Sequence, residues 1–96
     1  MPGAHRDGDA RFCGAKTVVV GQSSVFVNGK LWAVEDDPED HGAGELIAIV
    51  APKNVYINGK LVICAVGDAA QPDNFPHFPP ETYPEERSQD VFVYGA

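Results

Sequence analysis

The stretch Val25-Phe26-Val27-Asn28-Gly29-Lys30-Leu31 decides the fold, because the chain repeats it. Val55-Tyr56-Ile57-Asn58-Gly59-Lys60-Leu61 has the same type of residue at every position, and a shorter third copy, Val91-Phe92-Val93-Tyr94-Gly95, follows later. Each copy opens with β-branched and aromatic residues, which favour strands. The first two copies continue into Asn-Gly, a strong signal for a tight hairpin turn. The chain therefore predicts three β-hairpins at a period of about thirty residues.

Length and composition predict one small all-β domain over residues 1–96. The chain has 96 residues, of which eight are prolines and ten are glycines, and no stretch shows helical periodicity. Three hairpins in so short a chain indicate a pseudo-threefold arrangement with little or no helix. A domain of this size buries only about 60–65% of its unfolded surface, so a metal ion or a partner is expected to stabilise it.

The charge and hydropathy patterns exclude several classes of function. The net charge is −7 and the seven basic residues are scattered, which argues against a nucleic-acid partner. No apolar run is long enough for a membrane helix, and the polar stretch from Met1 to Ala10 is not a signal peptide. We therefore expect synthesis in the cytoplasm, where Cys13 and Cys64 would be thiols or metal ligands rather than a disulfide.

Several segments between the hairpins carry more local predictions. Residues 17–20 and 45–50 are apolar runs that predict strands, and residues 71–86 form a proline-rich loop. Residues 1–16 are predicted to be a polar lead-in, with His5 as a mobile terminal residue. The acidic run at residues 35–40 lacks the spacing of a calcium-binding loop and predicts a solvated loop.

Three residues of the type that binds soft metal ions occupy related places before the three hairpin copies. Cys13, His41 and His77 precede the first valine of each copy by 12, 14 and 14 residues. Under pseudo-threefold packing, equivalent places converge near one axis, which predicts a metal site formed by these three residues. The alternatives are a buried thiol at Cys13, a solvated imidazole at His41 and an imidazole packed between aromatic rings at His77.

With these features the chain resembles the PAAR-repeat family, the small tip proteins of contractile injection machines. The resemblance rests on Gly8-Asp9 with a ligand four residues later, the run at residues 23–30 and its copy at residues 54–60. Val66-Gly67-Asp68 and the third strand near the C-terminal end complete the pattern, which covers nearly the whole chain.

The resemblance implies a structural protein with no catalytic residues. It implies a small conical β domain, a monomer whose broad base caps a trimeric β-helical spike and whose point makes transient contact with the target envelope. Such tips belong to the baseplates of contractile phage tails, and so to the virion, or travel with type VI secretion systems. The resemblance also implies one structural zinc ion near the apex, held by histidines and a cysteine; iron is an alternative.

The chain also departs from the family pattern. The Pro-Ala-Ala-Arg motif is absent, and Leu31-Trp32-Ala33-Val34 and Leu61-Val62-Ile63-Cys64 stand in its two places. The first ligand, usually histidine in the family, is Cys13. Zinc prefers four ligands in structural sites, so the set Cys13, His41 and His77 needs a fourth, for which Asp73, Cys64 and water are the candidates. Cys64 lies in an apolar run and is predicted to belong to the core instead.

Two other functions follow from the same residues. The first is a free-standing metal-binding β domain that recognises a protein or a glycan through its aromatic, proline-rich loop. The second is a small enzyme that uses a Cys13–His41 nucleophile–base pair or a catalytic metal. The sequence has no Gly-x-Ser-x-Gly elbow, phosphate-binding loop or His-Glu-x-x-His motif, so we expect no enzymatic activity.

Overall fold

The described chain is built from very short strands. The computed structural model describes residues 3–49, 55–65, 68–72, 79, 81–89 and 91. Regular structure in these residues consists of two-residue strands, which confirms the predicted all-β class. The strands are β1 (Gly3–Ala4), β2 (Phe26–Val27), β3 (Lys30–Leu31), β4 (Leu46–Ile47), β5 (Tyr56–Ile57), β6 (Lys60–Leu61), β7 (Cys64–Ala65) and β8 (Ala69–Ala70).

These strands form four antiparallel pairs. Strands β2 and β3 form one hairpin and β5 and β6 form another, whereas β1 pairs with β7 and β4 pairs with β8 across longer stretches of chain. The last two pairs join segments that are far apart in sequence, and they draw the repeated hairpins into one body.

The two Asn-Gly hairpins have the same backbone. Phe26 pairs with Leu31 in the first hairpin, and Tyr56 pairs with Leu61 in the second. Both asparagines have φ of 53° and both following glycines have φ of 79°. Positive φ at both central residues is the geometry that Asn-Gly favours in a two-residue hairpin loop. The prediction of hairpins at these two places is confirmed.

The third hairpin copy lies almost wholly outside the described residues, so it stays a prediction. Its first residue is described: the Val91 carbonyl accepts a hydrogen bond from the Ala4 amide at 2.9 Å. The Val25 carbonyl accepts in the same way from Trp32 at 3.0 Å, and the Val55 carbonyl from Val62 at 3.1 Å.

The hairpin turns give a direct test of the backbone requirement. A Cβ at position 59 would have no heavy atom within 4 Å, so substitution there costs only backbone strain. We expect Gly59→Ala to lower the free energy of unfolding by about 1–2 kcal/mol, because φ is positive at this residue. Urea unfolding followed by circular dichroism measures the loss. Gly59→Asn should recover part of it, since asparagine tolerates this conformation; equal loss in both variants would contradict the assignment.

A closed ring of three backbone hydrogen bonds lies at the centre of the fold. The His5 amide donates to the Ile63 carbonyl at 3.0 Å, Ile63 donates to Ala33 at 2.9 Å, and Ala33 donates back to His5 at 2.9 Å. Antiparallel pairs surround the ring in the same cyclic order, joining Ala4 with Cys64, Arg6 with Trp32 and Val34 with Val62. Three chain segments therefore meet around one point.

Three buried aspartates follow the three ring segments. Asp9, Asp37 and Asp68 are fully buried. Each accepts a backbone hydrogen bond from the residue three or four places earlier: from Arg6 at 3.0 Å, from Val34 at 2.8 Å and from Cys64 at 2.8 Å. A carboxylate that accepts hydrogen bonds from backbone N–H groups satisfies these groups within a tight turn, so the strand need not continue to pair them.

Among the described residues the apolar core consists of two clusters, and both include residues of the ring segments. Trp32, packed with six other buried residues, is the largest member of the first, which comprises Ala4, Val27, Trp32, Val34, Ile57, Val62 and Cys64. The second comprises Val19, Ala33, Leu46, Ile63 and Ala70. The Trp32 indole N–H donates to the Ile63 carbonyl at 3.1 Å, so the polar end of this side chain is satisfied within the core.

The strands predicted at residues 17–20 and 45–50 are much shorter than expected. Thr17 forms one isolated pair with Glu39, and over residues 45–49, the described part of the second run, only β4 is a strand. The reason is that carboxylates, not a neighbouring strand, accept the next amide hydrogens. Val20 donates to Asp37 Oδ1 at 3.0 Å, and Ile49 donates to Asp68 Oδ1 at 2.8 Å.

The prediction of a polar lead-in at residues 1–16 is wrong for the described part of that segment. Strand β1 is buried, and His5 is fully buried rather than mobile. Both ring nitrogens of His5 have partners, which are described below, and its backbone belongs to the central ring. The polar character of the segment thus reflects internal hydrogen bonding.

The molecule measures 32 × 24 × 24 Å, with one long and two equal short axes. Within the described residues, no helix has the length and apolar character required to cross a membrane.

Candidate metal centre

Two of the three predicted metal ligands come together, and a third, unpredicted residue joins them. One ligand atom each of Cys13, Glu39 and His41 lie within 4.8 Å of one another. The His41 Nδ1 atom is 3.7 Å from Glu39 Oε1. The predicted convergence of Cys13 and His41 is therefore confirmed.

Cys13 and His41 are carried by two loops with the same backbone hydrogen bonds. In the Cys13 loop (residues 10–16) Arg11 donates to Ala15 at 2.8 Å and Gly14 donates to Arg11 at 2.9 Å. In the His41 loop (residues 38–44) the corresponding bonds join Glu39 to Ala43 at 3.0 Å and Gly42 to Glu39 at 3.1 Å. The glycine that follows each ligand has φ of 90°, a conformation open to glycine that lets each loop turn back.

Backbone pairing fixes the register between these loops and a third segment. Phe12 donates to Tyr83 at 3.1 Å, Asp40 donates to Lys16 at 2.9 Å and Gln71 donates to Glu45 at 2.9 Å. Gln71 thus has the place of Phe12 and Asp40, and the next residue, Pro72, corresponds to Cys13 and His41. Both His77 and Asp73 lie outside the described residues. Their participation stays a prediction.

Cys64 lies apart from this group. It belongs to β7, is fully buried and packs in the first core cluster, and its amide donates to Asp68. The prediction that Cys64 is a core residue is confirmed.

The acidic run at residues 35–40 is only partly solvated, and this is where sequence reasoning missed Glu39. Asp36 and Asp40 are exposed, but Asp37 and Glu39 are buried. The signal that could have found Glu39 is its position: Glu39 precedes His41 by two residues, as Arg11 precedes Cys13. Opposite charges at corresponding positions of the two loops indicate an ion pair between the loops.

Arg11 and Glu39 form that pair inside the protein. The Arg11 Nη1 atom lies 3.2 Å from Glu39 Oε2, and both side chains are fully buried. Gly44 makes room for the carboxylate: it has φ of +69°, and a Cβ at this position would be 2.8 Å from Glu39 Cδ. A glycine is required here both for the conformation and for the space.

A second polar cluster lies beside the first. His5 Nδ1 donates to the Glu86 carbonyl at 2.7 Å, and His5 Nε2 lies 2.7 Å from the Thr17 hydroxyl, which donates to it. Arg11 Nε donates to the same hydroxyl oxygen at 2.9 Å. Burial lowers the pKa of His5 to about 4, so the imidazole is neutral at pH 7. Hydrogen-bond donation therefore runs in one direction, from Arg11 through Thr17 and His5 to the Glu86 carbonyl.

The side chains of Cys13, Glu39 and His41 fit a divalent metal ion. A thiolate, an imidazole nitrogen and a carboxylate oxygen are all ligands of zinc, and the same donors accept iron or cobalt. Cys13, Glu39 and His41 would hold the ion, and it would join the Cys13 loop to the His41 loop.

Comparisons with known proteins found no relative. No protein-family model matches the chain, and no curated protein or solved structure matches it.

Proposed function

We propose that this protein is a structural, metal-stabilised tip that caps the trimeric β-helical spike of a contractile injection machine. The observation that carries the proposal is the closed ring of hydrogen bonds through His5, Ala33 and Ile63. A single chain whose segments meet in equivalent ways around a point can present three similar faces. Such a chain caps a threefold partner without a mismatch of symmetry.

Exposed apolar side chains at matching positions support a docking role. Val25 and Phe26 are exposed at the first hairpin, and Val55 and Tyr56 are exposed at the second, with Phe26 and Tyr56 each at 59%. Val20 and Ile49, whose amides bind Asp37 and Asp68, are 68% and 55% exposed. Exposed apolar residues that recur in the two described hairpins are suited to a partner that repeats the same contact.

In this role the candidate metal centre acts as a metal staple, that is, a bound ion that cross-links two loops of the tip. The chain runs from the first hairpin through Ala33 to the His41 loop, and from His5 of the ring to the Cys13 loop. A zinc ion bound there would cross-link the two loops, whose residues 10–16 and 38–44 contribute to neither core cluster. Structural zinc contributes directly to the free energy of folding in small domains. Iron is the alternative ion, and His77 is the further ligand expected from the sequence.

Co-purification with trimeric β-helical spike proteins from the same genome tests the proposal. We expect one chain per spike trimer by native mass spectrometry. The double variant Phe26→Ser, Tyr56→Ser should lose binding by at least about tenfold while its melting temperature stays unchanged, because both side chains are exposed in the free protein. The matched control is Asp36→Asn, which changes an exposed residue between the hairpins and should bind normally.

Either of two results would contradict the capping role. One is a ratio of three chains per spike trimer, because three chains would match the threefold symmetry without any repeat inside this chain. The other is the absence of binding to every spike, which would favour a free-standing metal-binding domain.

A further inference from the structure

Arg11 is a buried cation that connects several parts of the fold. It is 1% exposed. Its Nη2 atom donates to the carbonyls of Asp37 at 3.3 Å and Pro38 at 3.1 Å, at the start of the His41 loop. Its Nη1 atom donates to the Gly44 carbonyl, at the end of that loop. The guanidinium thus holds both ends of the His41 loop from the Cys13 loop.

The two carboxylate oxygens of Glu39 face different neighbours. Oε2 accepts a hydrogen bond from Arg11 Nη1 at 3.2 Å. Oε1 is the oxygen 3.7 Å from His41 Nδ1. Arginine has a planar, rigid set of donors, so a carboxylate bound to it has a fixed orientation.

We propose that Arg11 is a positioning residue of the metal centre. It binds Glu39 through Oε2 and so directs Oε1 towards Cys13 and His41, where Oε1 serves as an oxygen ligand for a divalent ion of the zinc, cobalt or ferrous class. Gly44 completes the arrangement by leaving space behind the carboxylate. This inference rests on the metal staple of the proposed function and adds Glu39 and Arg11 to it.

The arrangement resembles the outer shell of other metal sites, where a second residue orients a ligand. Changing such a residue typically weakens metal binding about 10- to 100-fold. A buried ion pair that is only structural would instead affect stability and leave the metal affinity of the folded protein unchanged. Metal affinity and the spectrum of the bound ion therefore separate the two roles.

Cobalt titration of the full chain tests the proposal. Co²⁺ bound by a thiolate gives a charge-transfer band, and its visible bands report the remaining ligands. We expect Arg11→Lys to weaken Co²⁺ binding about 10- to 100-fold and to alter the visible bands while the thiolate band persists. Glu39→Gln should weaken binding further, since it changes a ligand. The control Asp36→Asn removes an exposed carboxylate from the same acidic run and should leave affinity and spectrum unchanged.

Two results would contradict the expected role of this site. Wild-type affinity and spectrum in folded Arg11→Lys and Glu39→Gln would overturn the role of this pair and leave the metal staple intact. Failure of the wild-type protein to bind Co²⁺ or Zn²⁺ would overturn the staple itself.

If Arg11→Lys does not fold, Gly44→Ala answers the same question. The new Cβ would displace Glu39, whose Cδ would be 2.8 Å away, while every ligand atom stays in the protein. Unchanged cobalt affinity in the folded Gly44→Ala variant would then overturn the proposal.

Discussion

Asp37→Asn is expected to lower the free energy of unfolding by about 3–5 kcal/mol, a large part of the roughly 5–15 kcal/mol typical of a native domain. Asp37 is fully buried and accepts three backbone hydrogen bonds. Val20 and Gly21 donate to Oδ1 at 3.0 and 2.8 Å, and Val34 donates to Oδ2 at 2.8 Å. An asparagine amide has one oxygen and one NH₂ group, so at least one buried amide would face another donor.

The neighbouring residue provides a matched control. Asp36→Asn makes the same chemical change at a side chain that is 72% exposed and pairs with Lys60 at 3.3 Å. Exposed pairs contribute at most about 1 kcal/mol, and asparagine tolerates the positive φ of this position. Urea unfolding of both variants at pH 7 measures the difference. A loss below about 1 kcal/mol in Asp37→Asn would show that these three bonds do not hold the turn.

Lowering the pH from about 6.5 to about 4 is expected to destabilise the protein through His5. Burial lowers the pKa of His5 from 6.5 to about 4, against opposing effects of the bond to the Glu86 carbonyl and the charge of Asp9; the charge of Arg11 lowers it further. In the unfolded chain the imidazole has its ordinary pKa. Between these values the unfolded state binds a proton that the native state does not, so stability falls as the pH falls.

The contribution of His5 is complete above pH 6.5 and is lost as the pH falls towards 4. It amounts to roughly 3 kcal/mol, because each pKa unit corresponds to about 1.4 kcal/mol. Urea unfolding between pH 4 and pH 7 measures the slope. Carboxylates also titrate in this range, so the comparison is with His5→Asn, which keeps a donor for the Glu86 carbonyl and cannot gain this proton. An imidazole resonance of His5 that titrates near pH 6.5 in the native protein would contradict the argument.

The local elements of the fold could be predicted from sequence, because they depend on residues next to one another. Two Asn-Gly turns between β-branched and aromatic residues specify their hairpins whatever surrounds them. The meeting of Cys13 and His41 was also predictable, because the two residues precede the two hairpin copies by similar distances in sequence, 12 and 14 residues.

The polar interior could not be predicted in the same way. Asp37, Glu39 and His5 have side chains that are usually exposed, and each is buried only because its partner arrives from a distant segment. Glu39 requires Arg11, and His5 requires Thr17 and the Glu86 carbonyl. Composition and local pattern carry no information on such partners. One sequence signal of these partners is that Arg11 and Glu39 stand at corresponding positions, each two residues before a predicted ligand.

The bonds that join Ala4 to Ser88 and Val91 make part of the fold depend on residues that are synthesised much later than Ala4. The Ala4 amide donates to Val91 at 2.9 Å, and the Ala4 carbonyl accepts from Ser88 at 2.8 Å. Each Asn-Gly hairpin can form within microseconds of emerging from the ribosome, since its contacts are local. Strand β1, the first of the described strands, can pair with β7 once that strand is made, but the Ala4 bonds to Ser88 and Val91 must wait for nearly the last residues described. Until they arrive, the nascent chain carries open backbone edges that invite pairing with other chains.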